Sequence, residues 1–117
     1  IYIDDASSAT YLISIKGKVG NTYHISTNKI ISIKNLVKMI SRITKTKFEK
    51  LVNVSQDRIG KDATYNLDSK KIRRELNWAP KINLNEGLMK TLKWGDDNIA
   101  FLKHQEFQYI HKKWRVY

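Results

Sequence analysis

The segment from Arg58 to Pro80, RIGKDATYNLDSKKIRRELNWAP, carries the most information about this chain. An arginine lies close to a glycine, an acid and a tyrosine follow, and a short basic stretch then ends at Trp78 and Pro80. Arginine presents a planar pair of donors that matches two phosphate oxygens, and glycine lets the backbone approach a ligand closely. The residue types alone fit two structures: a diphosphate-binding loop, or a capped surface loop with an Arg–Asp ion pair.

Four residues of this segment are candidates for contact with such a ligand. Arg58 would bind the diphosphate, and Lys61 would add positive charge. Asp62 would accept hydrogen bonds from sugar hydroxyls, while Tyr65 would offer a hydroxyl or a ring. The segment then predicts a short helix that Asp68 opens and that Pro80 prevents from continuing.

Length and composition narrow the class of protein. The chain has 117 residues, 41% of them hydrophobic, which is the size of one domain or of a piece of one. The net charge of +11 favours anionic partners, whether nucleic acid, phospholipid or phosphorylated small molecules. Zero cysteines and three scattered histidines predict no disulfide and no metal site. Without an apolar run long enough to span a bilayer, we expect no membrane contact and a cytoplasmic location.

Hydrophobic periodicity predicts the elements that flank the segment. The sequence begins with a strand-like alternation, followed by a helix that Asp4 or Asp5 caps, a turn over residues 16–21, and a strand over residues 22–25. Ser32 is the predicted N-cap of a helix with an apolar stripe and a basic opposite face. A short strand follows at residues 51–54, and a further helix is predicted after Asn83, with Glu86 at capping-box spacing.

Four motifs in order resemble the C-terminal part of nucleotide-sugar dehydratases and epimerases of the extended short-chain dehydrogenase/reductase family. They are Tyr2-Ile3-Asp4-Asp5 with Ala9, the run GNTYHI at residues 20–25, the segment from Arg58 to Pro80, and the helix LNEGLMKTLKW at residues 84–94. The chain departs from the family pattern at Ile59, where proline is common, and at Asn77, where glycine is common. Asp62 followed three residues later by Tyr65 favours the dehydratases over the epimerases.

The resemblance implies an α/β fold. It predicts a mainly helical C-terminal substrate-binding domain with short strands, plus the last helix and strand of a Rossmann NAD-binding domain whose main part is absent. The implied division is residues 1–27 for the end of the Rossmann domain, 28–98 for the nucleotide-sugar domain, and 99–117 for an aromatic tail. The glycine-rich NAD loop and the catalytic Tyr-x-x-x-Lys pair would lie upstream. We therefore expect no catalytic and no cofactor-binding residue in this chain.

The implied activity is that of an NAD-dependent nucleotide-sugar 4,6-dehydratase. This chain would contribute substrate binding to that enzyme and would be inactive alone. By the same resemblance Arg58 would hold the diphosphate, Asp62 or Lys61 would lie near the nucleoside, Tyr65 would support them, and Ser32 is a weaker candidate at a helix N-terminus. The implied partners are the nucleotide-diphosphate sugar, the protein's own Rossmann domain and a second subunit in a homodimer. A 4-epimerase or decarboxylase is the alternative, and a basic nucleic-acid-binding module is a weaker one.

Overall fold

The computed structural model describes residues 1–53 and 64–105 of the chain, and these residues form six helices. In chain order the helices are α1 (Ile3–Lys16), α2 (Ile33–Ile43), α3 (Phe48–Leu51), α4 (Lys70–Leu76), α5 (Leu84–Asp97) and α6 (Ile99–Lys103). Helix α1 packs on α4, while α2 packs on both α3 and α5, and α6 packs on α5.

The buried core lies between α1 and α4. Ala9, Ile72 and Trp78 are buried there, and Leu12, Ile13 and Leu76 pack around them half-buried. The indole Nε1 of Trp78 donates a hydrogen bond to the Ser8 hydroxyl at 3.2 Å, so the polar edge of the ring has a partner inside the protein. We call Ala9, Ile72 and Trp78 the α1–α4 core.

The mainly helical character predicted from the sequence is confirmed, but the predicted short strands are not found among the described residues. Ile3 already belongs to α1, and Leu51 is the last residue of α3 rather than part of a strand. Residues 22–25 lie outside any helix or strand and cover the α1–α4 core with Tyr23 and Ile25. A strand requires a paired neighbour for its backbone groups, and in the part of the chain that the structure describes this segment has none.

Helix ends follow the predicted caps in two cases. The Ser32 hydroxyl accepts a hydrogen bond from the backbone N–H of Asn35 at 3.2 Å, which confirms Ser32 as the N-cap of α2. The Asn83 side chain likewise accepts from the backbone N–H of Glu86 at 3.0 Å. The Glu86 carboxylate lies 3.0 Å from Lys90, and this contact raises the pKa of Lys90.

The predicted capping role of Asp4 or Asp5 is wrong. Helix α1 begins at Ile3 after Tyr2, and both acids lie inside its first turn. There their negative charge interacts favourably with the positive end of the helix dipole. Asp5 is buried, and its carboxylate makes no cap hydrogen bond to α1. The two oxygens accept hydrogen bonds from the backbone N–H groups of Lys81 at 2.9 Å and Ile82 at 3.0 Å. Asp5 therefore ties the start of α1 to the segment that leads into α5.

Helix α4 is shorter than the predicted helix at both ends. Its first residue is Lys70, whose backbone N–H donates to the Asp68 carboxylate at 2.8 Å and lowers the pKa of Asp68. It ends because Asn77 takes the left-handed conformation, with φ of 50°. Asn77 thus adopts a geometry that glycine and asparagine tolerate best, which explains how this chain accommodates a residue other than the glycine of the resembled family.

Candidate functional site

The predicted ligand-binding residues are only partly within the described part of the chain. Arg58, Lys61 and Asp62 lie outside the described residues, so their roles stay predictions. Tyr65 is described, and 84% of its surface is exposed. Ser32 is also exposed, and its hydroxyl is occupied in capping α2. Neither Tyr65 nor Ser32 is among the described residues that line the cavity between Tyr2, residues 27–31 and the beginning of α5.

A cavity of about 450 Å³ lies between Tyr2, the segment of residues 27–31 and the beginning of α5. This volume falls in the range of small-molecule sites. Its walls combine apolar side chains with cationic ones, and none of the described residues that line it is an aspartate or glutamate. The apolar lining includes Tyr2, Ile31, Ile82, Leu84 and Leu88, and the cationic lining is Lys29, Arg73 and Lys81.

Three parts of the chain form the cavity: Tyr2, residues 27–31 and the beginning of α5. The α1–α4 core and Asp5 hold them in place. Tyr2 packs against Gly87 of α5, where a side-chain β-carbon would lie 3.3 Å from the Tyr2 ring. The Lys90 ammonium lies 5.5 Å from the centre of the same ring and also contacts the Glu86 carboxylate. Asp5 accepts hydrogen bonds from the backbone of Lys81 and Ile82, which line the cavity. These two lining residues are therefore tied to α1.

Sequence reasoning predicted none of the residues that line this cavity, and Arg73 is the most informative of them. It belongs to α4, a helix that the sequence did not assign to the site, and it is half-buried and stacks over the ring of Trp78 at 5.7 Å. The spacing of five residues between Arg73 and Trp78 was visible in the sequence. Its significance depends on the turn at Asn77, which folds Trp78 back onto the helix.

A polar cluster joins the segment of residues 18–23 to α4. The Tyr23 hydroxyl donates to the Glu75 carboxylate at 3.1 Å and accepts from the backbone N–H of Lys18 at 3.2 Å. Lys71 lies 4.8 Å from the centre of the Tyr23 ring and donates to the Asn21 side chain at 2.7 Å. Each of these groups has a partner within the cluster, so the cluster holds the segment on α4.

The described residues provide no metal-binding group of three or more His, Asp or Glu side chains. In residues 1–53 and 64–105, no helix is both long enough and apolar enough to cross a membrane. One pair, Tyr109 and Lys113, has the Tyr-x-x-x-Lys spacing. It lies beyond the described residues and at the opposite end of the chain from the upstream position that the resemblance implies.

Comparison with curated proteins gives a consistent class. The chain is 33% identical over 104 residues to a protein of Haemophilus influenzae, which covers 80% of this chain and 31% of that protein. It is 33% identical over 108 residues to a protein of Neisseria gonorrhoeae, covering 84% of this chain and 31% of the relative. A protein of Streptomyces niveus is 31% identical over 101 residues, which is 86% of this chain and 30% of the relative. No protein-family model matches the chain.

These matches confirm the predicted resemblance to the C-terminal part of nucleotide-sugar dehydratases. All three relatives carry the name dTDP-glucose 4,6-dehydratase. The chain spans about three tenths of the length of the curated relatives that it matches, with 31% for the first two.

Proposed function

We propose that this chain is the substrate-binding part of an NAD-dependent nucleotide-sugar 4,6-dehydratase that acts on dTDP-glucose or a close analogue. The observation that carries the proposal is the match to dTDP-glucose 4,6-dehydratases over 80% or more of the chain. The excess of positive charge supports it, because a nucleotide diphosphate is an anion.

In this proposal, the chain contributes binding and orientation rather than chemistry. Arg58 holds the diphosphate, while Lys61 or Asp62 lies near the nucleoside and Tyr65 supports the loop. Such remote contacts provide binding energy that orients the sugar in the full enzyme. Ser32 keeps a weaker role, because its hydroxyl already caps α2 and leaves only the backbone N–H groups of that helix end to face an anion.

The groups that perform the reaction belong to sequence outside this chain in our proposal. NAD, bound by a Rossmann domain, supplies the oxidation of the sugar at C4 and the return of hydride after water is lost across C5 and C6. The chain alone is then inactive. Homodimerisation of the full-length protein and a cytoplasmic location also belong to the proposal. So does the domain boundary between residues 27 and 28. Helix α1 lies before this boundary and α4 after it, and the two helices share one core.

Turnover by the longer protein tests this function. The chain joined to its upstream sequence is incubated with NAD and dTDP-glucose, and in parallel with UDP-, CDP- and GDP-glucose. We expect a 4-keto-6-deoxy sugar product, formed fastest from dTDP-glucose. Product identity separates a 4-epimerase, which yields the galactose isomer, whereas a decarboxylase requires a uronic acid and would release carbon dioxide only from UDP-glucuronic acid added as a further substrate. Absence of turnover and of NAD binding with every nucleotide sugar would refute the proposal.

Variants of the longer protein test the residue roles. Arg58→Met removes the diphosphate fork and is expected to raise KM for dTDP-glucose about tenfold or more, since a hydrogen bond to a charged group contributes roughly 1.5–3 kcal/mol. Arg42→Met, on the exposed side of α2, makes the same change of charge away from the proposed loop and serves as the control. Equal KM values for the two variants would remove Arg58 from the site.

A further inference from the structure

Arg73 is held in a fixed orientation by three neutral groups. Its Nε donates to the Ser69 hydroxyl at 3.1 Å, and its Nη2 donates to the backbone carbonyl of Ser26 at 3.3 Å. The Trp78 ring lies beneath the guanidinium at 5.7 Å. Ser69 is itself fully buried and donates onward to the Asn28 side chain at 3.4 Å. The guanidinium plane is therefore set before any ligand arrives.

The charge of this guanidinium has no counterpart among the described residues. No carboxylate in residues 1–53 and 64–105 lies within ion-pair distance of Arg73, whereas the next residue, Arg74, lies 3.7 Å from Glu75. Both oxygens of the buried Asp5 already accept hydrogen bonds from backbone N–H groups. An arginine has five N–H donors, and within the described part of the chain the two bonds above leave donors of Arg73 for another acceptor.

The cavity that Arg73 lines has the composition of a site for an anion with an apolar part. Lys29 and Lys81 add positive charge to its wall, and within residues 1–53 and 64–105 no carboxylate lines it. Tyr2, Leu84 and other aromatic or apolar side chains also line the cavity. Because half-buried cations in low-dielectric surroundings attract anions more strongly than exposed ones do, the cavity favours a ligand that presents an acidic group to Arg73.

We propose that this cavity binds an amphipathic organic anion, with its phosphate or carboxylate on Arg73 and its aromatic or aliphatic part against Tyr2, Leu84 and Leu88. The proposal rests on the geometry of the described residues and is independent of the function proposed for Arg58 to Tyr65. It assigns a role to Arg73, which neither the sequence motifs nor the matches single out.

The test is a titration of the isotope-labelled chain, residues 1–117, followed by NMR. The probes are phenyl phosphate, phenylacetate, inorganic phosphate and benzyl alcohol, which separate the acidic group from the ring. We expect saturable binding of at least one aryl anion, with shifts of the Trp78 indole N–H and the Arg73 Nε–H resonances. Inorganic phosphate and benzyl alcohol should bind at least about tenfold more weakly than the aryl anion, because each lacks half of the interaction.

Two substitutions on the same helix separate the specific contact from general charge. Arg73→Met keeps an unbranched apolar side chain and removes the guanidinium, and should weaken binding of the aryl anion about tenfold or more. Arg74→Met makes the same change of charge at a side chain that is 81% exposed, and should leave binding within about twofold. Circular dichroism checks that both variants fold.

Leu88→Trp fills the cavity without changing charge and keeps the proposal testable if Arg73→Met fails to fold. We expect it to abolish binding of the aryl anion while inorganic phosphate binding stays within about twofold. The proposal is overturned if neither aryl anion saturates, if the two arginine variants weaken binding equally, or if the shifted resonances lie away from the cavity.

Discussion

The α1–α4 core and the pair formed by α2 and α3 differ in depth of burial, although both are built from packed helices. Helix α1 contributes Asp5 and Ala9 as buried residues and α4 contributes Ile72, whereas α2 and α3 contain no buried residue. The apolar side of α2 is only half-buried against α3 and α5. An apolar stripe thus predicts that a helix forms, while the number of elements that cover it decides how much stability it contributes.

A pair of isoleucine substitutions measures this difference most directly. Ile72→Ala should destabilise the protein by about 3–4 kcal/mol, because the fully buried side chain leaves a cavity that the α1–α4 core fills poorly. Ile40→Ala, at a half-buried position of α2, should cost about 1 kcal/mol. Urea unfolding followed by far-ultraviolet circular dichroism gives both values.

The same comparison is sharpened by amide hydrogen exchange. Amides of α1 and α4 should exchange more slowly than those of α2, since local opening of a half-buried helix exposes little apolar surface. Equal protection in the two regions, together with equal losses for Ile72→Ala and Ile40→Ala, would show that the regions unfold as one unit and that burial depth does not distinguish them.

Asp5 provides the second largest expected effect, because it joins the core to the segment before α5. Asp5→Ala should cost about 2–3 kcal/mol, since two backbone N–H groups would lose a charged acceptor. Asp4→Ala is the matched control on the same turn. Asp4 is exposed, so we expect a change within about 0.5 kcal/mol. Similar losses for both variants would mean that the helix dipole, rather than the tie to residues 81 and 82, explains the role of Asp5.

Polar residues act in this fold either as local helix caps or as acceptors for distant backbone groups. The sequence could predict the first role but not the second. Ser32 and Asn83 act on N–H groups three residues away, so local spacing sufficed to predict both caps. Asp5 acts on backbone groups 76 and 77 residues away, and no local pattern distinguishes it from Asp4. The strand predicted at residues 22–25 was wrong for a similar reason. Its β-prone composition is real, but a strand also needs a partner that the described residues do not supply.

The candidate site follows the same division between local and distant signals. The motif from Arg58 to Tyr65 was predicted from sequence through its resemblance, and its geometry stays a prediction. The position of Arg73 depends on Ser26, which is 47 residues away, and on the turn that brings Trp78 under it. Composition could indicate that α4 is basic, but only the tertiary structure separates Arg73 from the exposed Arg74.

Asn77 tests whether the end of α4 supports the α1–α4 core. Asn77→Ala should cost about 1 kcal/mol, since alanine tolerates a φ of 50° poorly and Trp78 depends on this turn. Asn77→Gly should stay within about 0.5 kcal/mol of the parent, because glycine adopts this conformation without strain. Asn85→Ala, at an exposed position within α5, controls for loss of an asparagine side chain. Thermal unfolding of the three variants provides the measurement, and a loss for Asn77→Gly as large as for Asn77→Ala would assign the effect to the side chain.

The smallest expected effects come from the two glycines of α5, which meet different surroundings on one helix. A β-carbon at Gly95 has no neighbour within 4 Å, so Gly95→Ala should stabilise the protein by about 0.5–1 kcal/mol through helix propensity. A β-carbon at Gly87 would lie 3.3 Å from the Tyr2 side chain, which must give way by a few tenths of an ångström. Part or all of the same gain is then lost at Gly87 to crowding at the junction of α5 with the start of α1.

Thermal unfolding of Gly87→Ala, Gly95→Ala, Tyr2→Gly and the double variant Gly87→Ala with Tyr2→Gly decides between packing and propensity. If Tyr2 limits Gly87, Tyr2→Gly removes both the β-carbon and the ring carbon that lie 3.3 Å away, so that Gly87→Ala should stabilise the Tyr2→Gly background more than it stabilises the parent. An equal gain at Gly87 and Gly95 in the parent would show instead that Tyr2 moves freely. The junction that positions the cavity would then be as loosely packed as the half-buried side of α2.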